Sequence, residues 1–114
     1  MALWVKYSSV EVLSGSLRAW VRQTPGGRQM VCKFCPNCGS RIFHQMADQD
    51  EVISIKPGTL NDTTRLRPAG HIWSQSAQPW LKLDAQQLAY PGNPASFEEL
   101  FASWQASPGG TTRR

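Results

Sequence analysis

The stretch Phe34-Cys35-Pro36-Asn37-Cys38-Gly39-Ser40 decides how the rest of the chain is read. Two cysteines three positions apart, with Pro36 and Asn37 between them, form a turn that can aim two thiolates at one tetrahedral ion. Gly39 lets the backbone turn tightly behind the second cysteine. A structural zinc site takes four ligands, and this knuckle supplies two. Cys35 and Cys38 are therefore the expected metal ligands, with zinc as the expected cofactor.

The flanks of the knuckle read as strands. From Gln29 to Cys35, Met30, Cys32 and Phe34 share one face. From Arg41 to Met46, Ile42, His44 and Met46 alternate against Arg41, Phe43 and Gln45. Strand, knuckle and strand form a hairpin with the thiolates at its tip. Upstream, Leu17, Ala19 and Val21 alternate with Arg18, Trp20 and Arg22, the pattern of a half-buried strand, and Ala-Leu-Trp-Val-Lys-Tyr after Met1 reads as another. Downstream, Glu51 to Lys56 is a strand with Ile53 and Ile55 inward, ended by Pro57-Gly58.

Beyond it, residues 61–70 form an irregular loop and His71-Ile72-Trp73 begins a short strand. Gln78-Pro79-Trp80 and Tyr90-Pro91-Gly92 read as surface loops. One helix is predicted near the end. Ser96 is its N-cap, Glu99 completes a capping box, and Phe97, Leu100, Phe101 and Trp104 make one apolar stripe before Pro108-Gly109-Gly110 stops it. The expected fold is all-β: a small antiparallel, stacked-sheet, zinc-ribbon-like domain with a short C-terminal helix. It covers residues 1–107, and 108–114 form a flexible tail.

With 114 residues the chain is large enough for a single core. Three cysteines within seven residues argue against a disulfide framework. No apolar run approaches the roughly 20 residues of a membrane span, so no membrane partner is expected. The start does not read as a signal peptide, and a reducing cytoplasm is the expected location. The net charge is +4, half of it from Arg113 and Arg114. The remaining basic residues are scattered, which argues against nucleic acid as a partner.

Other residues carry competing readings. Cys32 extends the motif to C-x-x-C-x-x-C, yet alternation places it on the face opposite Cys35, where a buried free cysteine packs as a small hydrophobe. His44 either closes a Cys-Cys-His site or packs beside Ile42 and Met46. His71 is read as an acid, a base or a substrate contact, against a structural histidine. Trp20, Trp73 and Trp80 line an apolar cleft or simply bury area. Arg65 and Arg67 grip a carboxylate or form a solvated loop.

The knuckle, the run Ser54-Ile55-Lys56-Pro57-Gly58-Thr59-Leu60, His71-Ile72-Trp73 and Gln78-Pro79-Trp80, in that order, resemble the glutathione-dependent formaldehyde-activating enzyme family, which includes the centromere protein V group. The resemblance runs from about Leu3 to Trp104. It implies stacked β-sheets around zinc, and carbon–sulfur lyase chemistry on a thiol adduct such as that of glutathione, with zinc as Lewis acid. It also implies that Cys35 and Cys38 are half of a structural zinc site, whose other half is an early C-x-C pair. A further C-x-C-x-x-C cluster carries the catalytic zinc.

This chain has no cysteine before Cys32. It resembles a member whose N-terminal cysteine segment is absent, so its activity is in doubt and its catalytic residues are unassigned. His71, Arg65, Arg67 and Trp73 are the expected substrate contacts. The alternative function is a non-catalytic zinc-binding or dimerising module. Its partner would be a second copy or the missing segment, covering an exposed sheet edge.

Overall fold

The structure is a computed structural model that describes residues 1–106. The expected tail and the Pro108-Gly109-Gly110 stop lie outside the described residues. The chain divides into two compact units, Met1–Thr63 and Thr64–Arg114.

In the first unit, β1 (Leu3–Lys6), β2 (Arg18–Gln23), β3 (Gln29–Phe34), β4 (Arg41–Met46) and β5 (Val52–Ile55) form one sheet. Its order is β1-β5-β4-β3-β2, and every pairing is antiparallel. Because side chains alternate across a strand, the register fixes what shares a face. Leu3 lies opposite Ile55, Val5 opposite Ile53, and Phe43 opposite both Ile55 and Lys33. The other face carries a row that crosses all five strands: Trp4, Ser54, His44, Cys32 and Trp20.

The core is small. Cys32, Ile53 and Phe43 are its buried hydrophobic side chains, joined by Pro57. The Tyr7 ring covers Phe43, with centroids 6.2 Å apart. Cys32 is fully buried, as its strand face predicts. β2 alternates as expected but is not half-buried: Trp20 is 52% and Val21 48% exposed. The reason is its position. β2 is one of the two edge strands and pairs with β3 alone, so its side chains project past the covered centre of the sheet.

The β3–β4 hairpin ends in the knuckle. The Cys35 N–H donates to the Ser40 carbonyl at 2.9 Å, and the Gly39 N–H donates to the Cys35 carbonyl at 2.8 Å. Gly39 sits at φ +78°, a conformation that costs a side-chain-bearing residue roughly 1–2 kcal/mol. The register shifts between Lys33 and Phe34, so Phe34 faces Arg41.

In the second unit, β6 (Gly70–His71) pairs with β7 (Leu88–Ala89), in parallel rather than in the expected antiparallel sense. A parallel pair needs a long return connection, and residues 72–87 supply it. The helix α1 (Glu98–Ala106) follows. Ser96 Oγ accepts the Glu98 N–H at 3.2 Å, while Glu98 and Glu99 place negative charge on the first turn. The predicted capping box is replaced: Glu99 instead accepts the Tyr90 hydroxyl at 2.8 Å. Of the expected apolar stripe, Phe97, Leu100 and Trp104 are half-buried and Phe101 is 51% exposed.

A five-stranded antiparallel sheet and one short C-terminal helix thus match the strand-rich expectation. The described residues hold one cysteine knuckle and no second one facing it, and the strand-rich fold with its short helix is what the structure supports of the expected class. No helix among them is long and apolar enough to cross a membrane.

Candidate functional site

The knuckle presents its thiols unequally. Cys38 is exposed, Cys35 is half-buried, and neither forms a disulfide. Cys38 Sγ lies 3.3 Å from Ser40 Oγ. The Ser40 hydroxyl, then the Ser40 backbone amide and the Cys35 side chain, stabilise the thiolate and hold the Cys38 thiol below its ordinary range. Cys38 is therefore the expected first target of an alkylating reagent, because the thiolate is the reactive form and access governs the rate. Brief iodoacetamide labelling followed by peptide mass spectrometry should modify Cys38 first and Cys32 last. Equal labelling of Cys32 would contradict this placement.

Among the described residues, no group of three or more His, Cys, Asp and Glu gathers to hold a metal ion. Cys32 and His44 face each other across β3 and β4, and neither joins the knuckle thiols in such a group. Two thiols make half of a tetrahedral shell. They do not fit a closed zinc centre on their own.

His44 instead belongs to a basic row. The Arg41 guanidinium, which can only donate, places an N–H 3.1 Å from His44 Nε2. Nε2 is therefore the acceptor, and the neutral ring carries its proton on Nδ1. Burial, then Lys56, Arg41 and Arg22, push the His44 pKa down to about 4. Between about pH 6.5 and about 4 the unfolded chain binds a proton at this position that the native chain refuses. Stability should therefore fall with pH across that window, and this group adds nothing further below it. Solvent reaches the ring, so the loss is discounted to about 1 kcal/mol. Urea unfolding at the two ends of the window should show this loss in the wild type and a smaller one in His44→Gln.

The second unit contains an open cleft of about 890 Å³. Arg65, Arg67, Gln86, Gln87, Glu99 and Ser103 supply its polar lining. Arg67 folds back to donate to the Leu66 and Thr64 carbonyls at 2.8 and 3.3 Å. Gln87 donates its amide N–H to the Pro68 carbonyl at 3.1 Å, which leaves its Oε1 to accept from His71 Nε2 at 2.7 Å. His71 thus holds Gln87 in place at the cleft wall, with the proton on Nε2. Neither Arg65 nor Arg67 forms an ion pair among the described residues. Glu99 keeps its carboxylate in the lining and pushes the Tyr90 hydroxyl pKa up through their hydrogen bond.

Of the four expected substrate contacts, Arg65 and Arg67 line this cleft and His71 reaches it through Gln87. Trp73 is not in the lining. Its indole N–H donates to Asn93 Oδ1 at 3.0 Å, and its backbone sits at φ +58°, which a bulky residue adopts only when its surroundings impose it. Its backbone N–H donates to the Gly92 carbonyl at 3.1 Å, and the neighbouring Ser74 and Gln75 N–H groups donate to Tyr90 and Pro91, which fasten the segment. Gln86, Gln87, Glu99 and Ser103 were not among the sequence candidates. They come from a loop and a helix that no spacing connects.

The family model described as glutathione-dependent formaldehyde-activating enzyme matches residues 1–76. The match takes in the knuckle, the Ser54–Leu60 run and His71-Ile72-Trp73. No curated protein and no solved structure matches the chain.

Proposed function

The chain belongs to the glutathione-dependent formaldehyde-activating enzyme family, and from that membership we propose that it is a carbon–sulfur lyase-type domain whose second unit binds a small thiol adduct. One observation carries this reading: the cleft brings two arginines that form no ion pair among the described residues, a glutamate and two amides to one place. Glutathione-like thiols carry two carboxylates, an ammonium group and peptide bonds. Arg65 and Arg67 suit the carboxylates, Glu99 the ammonium, and Gln86 and Gln87 the peptide groups. His71 acts as a positioning residue by fixing the amide of Gln87. Trp73 stands outside substrate contact.

The reaction is the addition of a thiol to an aldehyde carbonyl, or its reverse. The sulfur–carbon bond forms, the carbonyl π bond breaks, and the thiol proton ends on the new hydroxyl. What this chain's residues contribute is orientation of the adduct. A thiophilic metal would take Cys35 and Cys38 as half of its shell, and no step here depends on it.

The test is the rate at which the chain forms or cleaves the glutathione–formaldehyde adduct, compared with Arg65→Gln/Arg67→Gln. Loss of two charge-assisted contacts should raise KM by about tenfold or more and change kcat less. A wild-type rate equal to the uncatalysed one would overturn the enzymatic reading.

That outcome would favour a second reading, a dimerising module without catalysis. β2 supports it, as an outermost strand with one unpaired edge and with Trp20 and Val21 half exposed. Sedimentation at micromolar concentration should then give the mass of two chains.

A further inference from the structure

The row centred on His44 is made of residues that neither line the cleft nor enter the proposed reaction. Three features define it. First, Arg22, Arg41 and Lys56 act on one imidazole from its own face of the sheet, and among the described residues none of them pairs with a carboxylate. The ion pair Arg28–Asp48, at 2.7 Å, involves none of them. Second, the two guanidiniums are held in place rather than waving in solvent. The Arg41 guanidinium carbon lies 5.4 Å from the centroid of the Trp20 ring, and an Arg41 Nη donates to His44 Nε2. Arg22 Nη2 lies 3.5 Å from Met30 Sδ. For Lys56 it is the main chain that is fixed beside β4, by its N–H donating to the Ile42 carbonyl at 2.9 Å. Third, the pattern of donors is one-sided. His44 carries its proton on Nδ1, where no acceptor is found among the described residues.

Such a cluster works against itself. Burial lowers the Lys56 pKa; the neighbouring Cys32 sulfur opposes that shift, and repulsion from Arg41 and Arg22 adds to it. The groups facing His44 are Arg41 on its own strand, Arg22 from β2, Cys32 from β3 and Lys56 after β5, and none is a carboxylate. Keeping three cations close without a counter-charge is unfavourable, and an anion bound among them removes the repulsion. A carboxylate carries one charge and is satisfied by a single arginine fork. A phosphate group carries nearly two charges and accepts from several directions, so it matches three cations and an imidazole N–H. The half-exposed face of Trp20 beside Arg41 offers an apolar shelf for an organic remainder.

We propose that Arg22, Arg41 and Lys56, arranged around His44 and Trp20 on one face of the five-stranded sheet, form a binding site for a phosphate group. The ligand is either free phosphate or the phosphate of a small monoester. The anion sits over the imidazole, accepts from Nδ1–H, and is held by the three cations.

The experiment uses the full chain. Inorganic phosphate and glycerol phosphate are titrated separately while the nitrogen resonances of His44 and of the Arg41 side chain are followed by NMR. Sodium chloride at matched ionic strength is the control. The expected result is a saturable shift at both residues at millimolar phosphate, with a rise in the His44 pKa that chloride does not reproduce. Arg41→Gln and Lys56→Gln should each weaken binding by about tenfold or more, while Arg28→Gln leaves it unchanged. Arg22→Gln serves as the probe if either of the first two perturbs the fold. Tighter binding of glycerol phosphate assigns the site to a monoester, and equal binding assigns it to free phosphate. Non-saturating shifts that chloride reproduces, or equal weakening by Arg28→Gln, overturn the proposal. So does a single-stranded oligoribonucleotide that displaces phosphate at far lower concentration, since the site would then read a polymer.

Discussion

Phe43→Ala leaves the first unit largely unfolded. Phe43 is 5% exposed at the middle of β4, with Ile55 and Lys33 as neighbours across the ladder and Tyr7 against its ring. Truncating a buried phenylalanine costs about 3–5 kcal/mol, because the removed atoms lose their transfer energy and leave a cavity. At roughly 0.05–0.15 kcal/mol per residue, a unit of this length has only a few kcal/mol of net stability to lose. With so few buried side chains, no other part of the unit compensates. The measurement is urea unfolding of both proteins. The variant's midpoint should fall to near zero denaturant, whereas Val52→Ala, at a position 43% exposed, should stay within about 0.5 kcal/mol of wild type. A variant midpoint close to wild type would show that Phe43 is not part of the core.

Gly70→Ala disrupts the second unit by a different route. A Cβ on Gly70 would stand 2.5 Å from Leu100 Cδ2 and 2.9 Å from both the Cβ and the carbonyl oxygen of Leu88. The Leu100 methyl is the far end of a flexible side chain and can rotate away. The Leu88 backbone is the parallel partner of Gly70 in the ladder and cannot. The β6–β7 pair must open, at a cost of about 3 kcal/mol for an overpacked site whose neighbour is main chain. The hydrogen bond from the Tyr90 N–H to the His71 carbonyl, 2.9 Å long, lies one step beyond the pair and should lose its protection against amide exchange. Because Leu88 and Gln87 line the cleft, adduct binding should fall together with that protection. Unchanged exchange at Tyr90 would mean that the strands accommodate the methyl group.

These two positions differ in how readable they were. Phe43 sits in a strand whose alternation is plain, and the hairpin on either side of the knuckle follows from the same period of two. Cys32 was assigned to the core by its face alone, and the structure buries it completely. Alternation names faces but not what covers them, which is why β2 looked half-buried and is instead an exposed outer strand. Gly70 gave no signal. A two-residue parallel ladder has no period to detect, and the contact that requires glycine comes from Leu88 and Leu100, far along the chain. The capping box failed for a related reason: Tyr90 competes for Glu99, and local spacing cannot register a distant phenol.

The candidate sites divide in the same way. The knuckle was legible because its spacing is local chemistry, although the donors needed to complete a metal shell are not present among the described residues. Arg65 and Arg67 were legible as a basic pair in the longest loop. Their companions Gln86, Gln87, Glu99 and Ser103 were not, since each is an ordinary surface residue until the fold gathers it. His44 was read as a ligand or a packed strand residue. What makes it notable is the register that sets it beside Cys32 and Trp20, together with the bulge that brings Arg41 onto its face.

The most direct test of the thiol-adduct reading is to map where that adduct binds. Backbone amide resonances of the full chain are recorded during titration with glutathione and formaldehyde together. Saturable shifts should concentrate at Arg65, Gln87 and Ser103, and Arg65→Gln/Arg67→Gln should weaken them. Shifts confined to the His44 row, or none at saturating adduct, would contradict the assignment of the cleft as the substrate site.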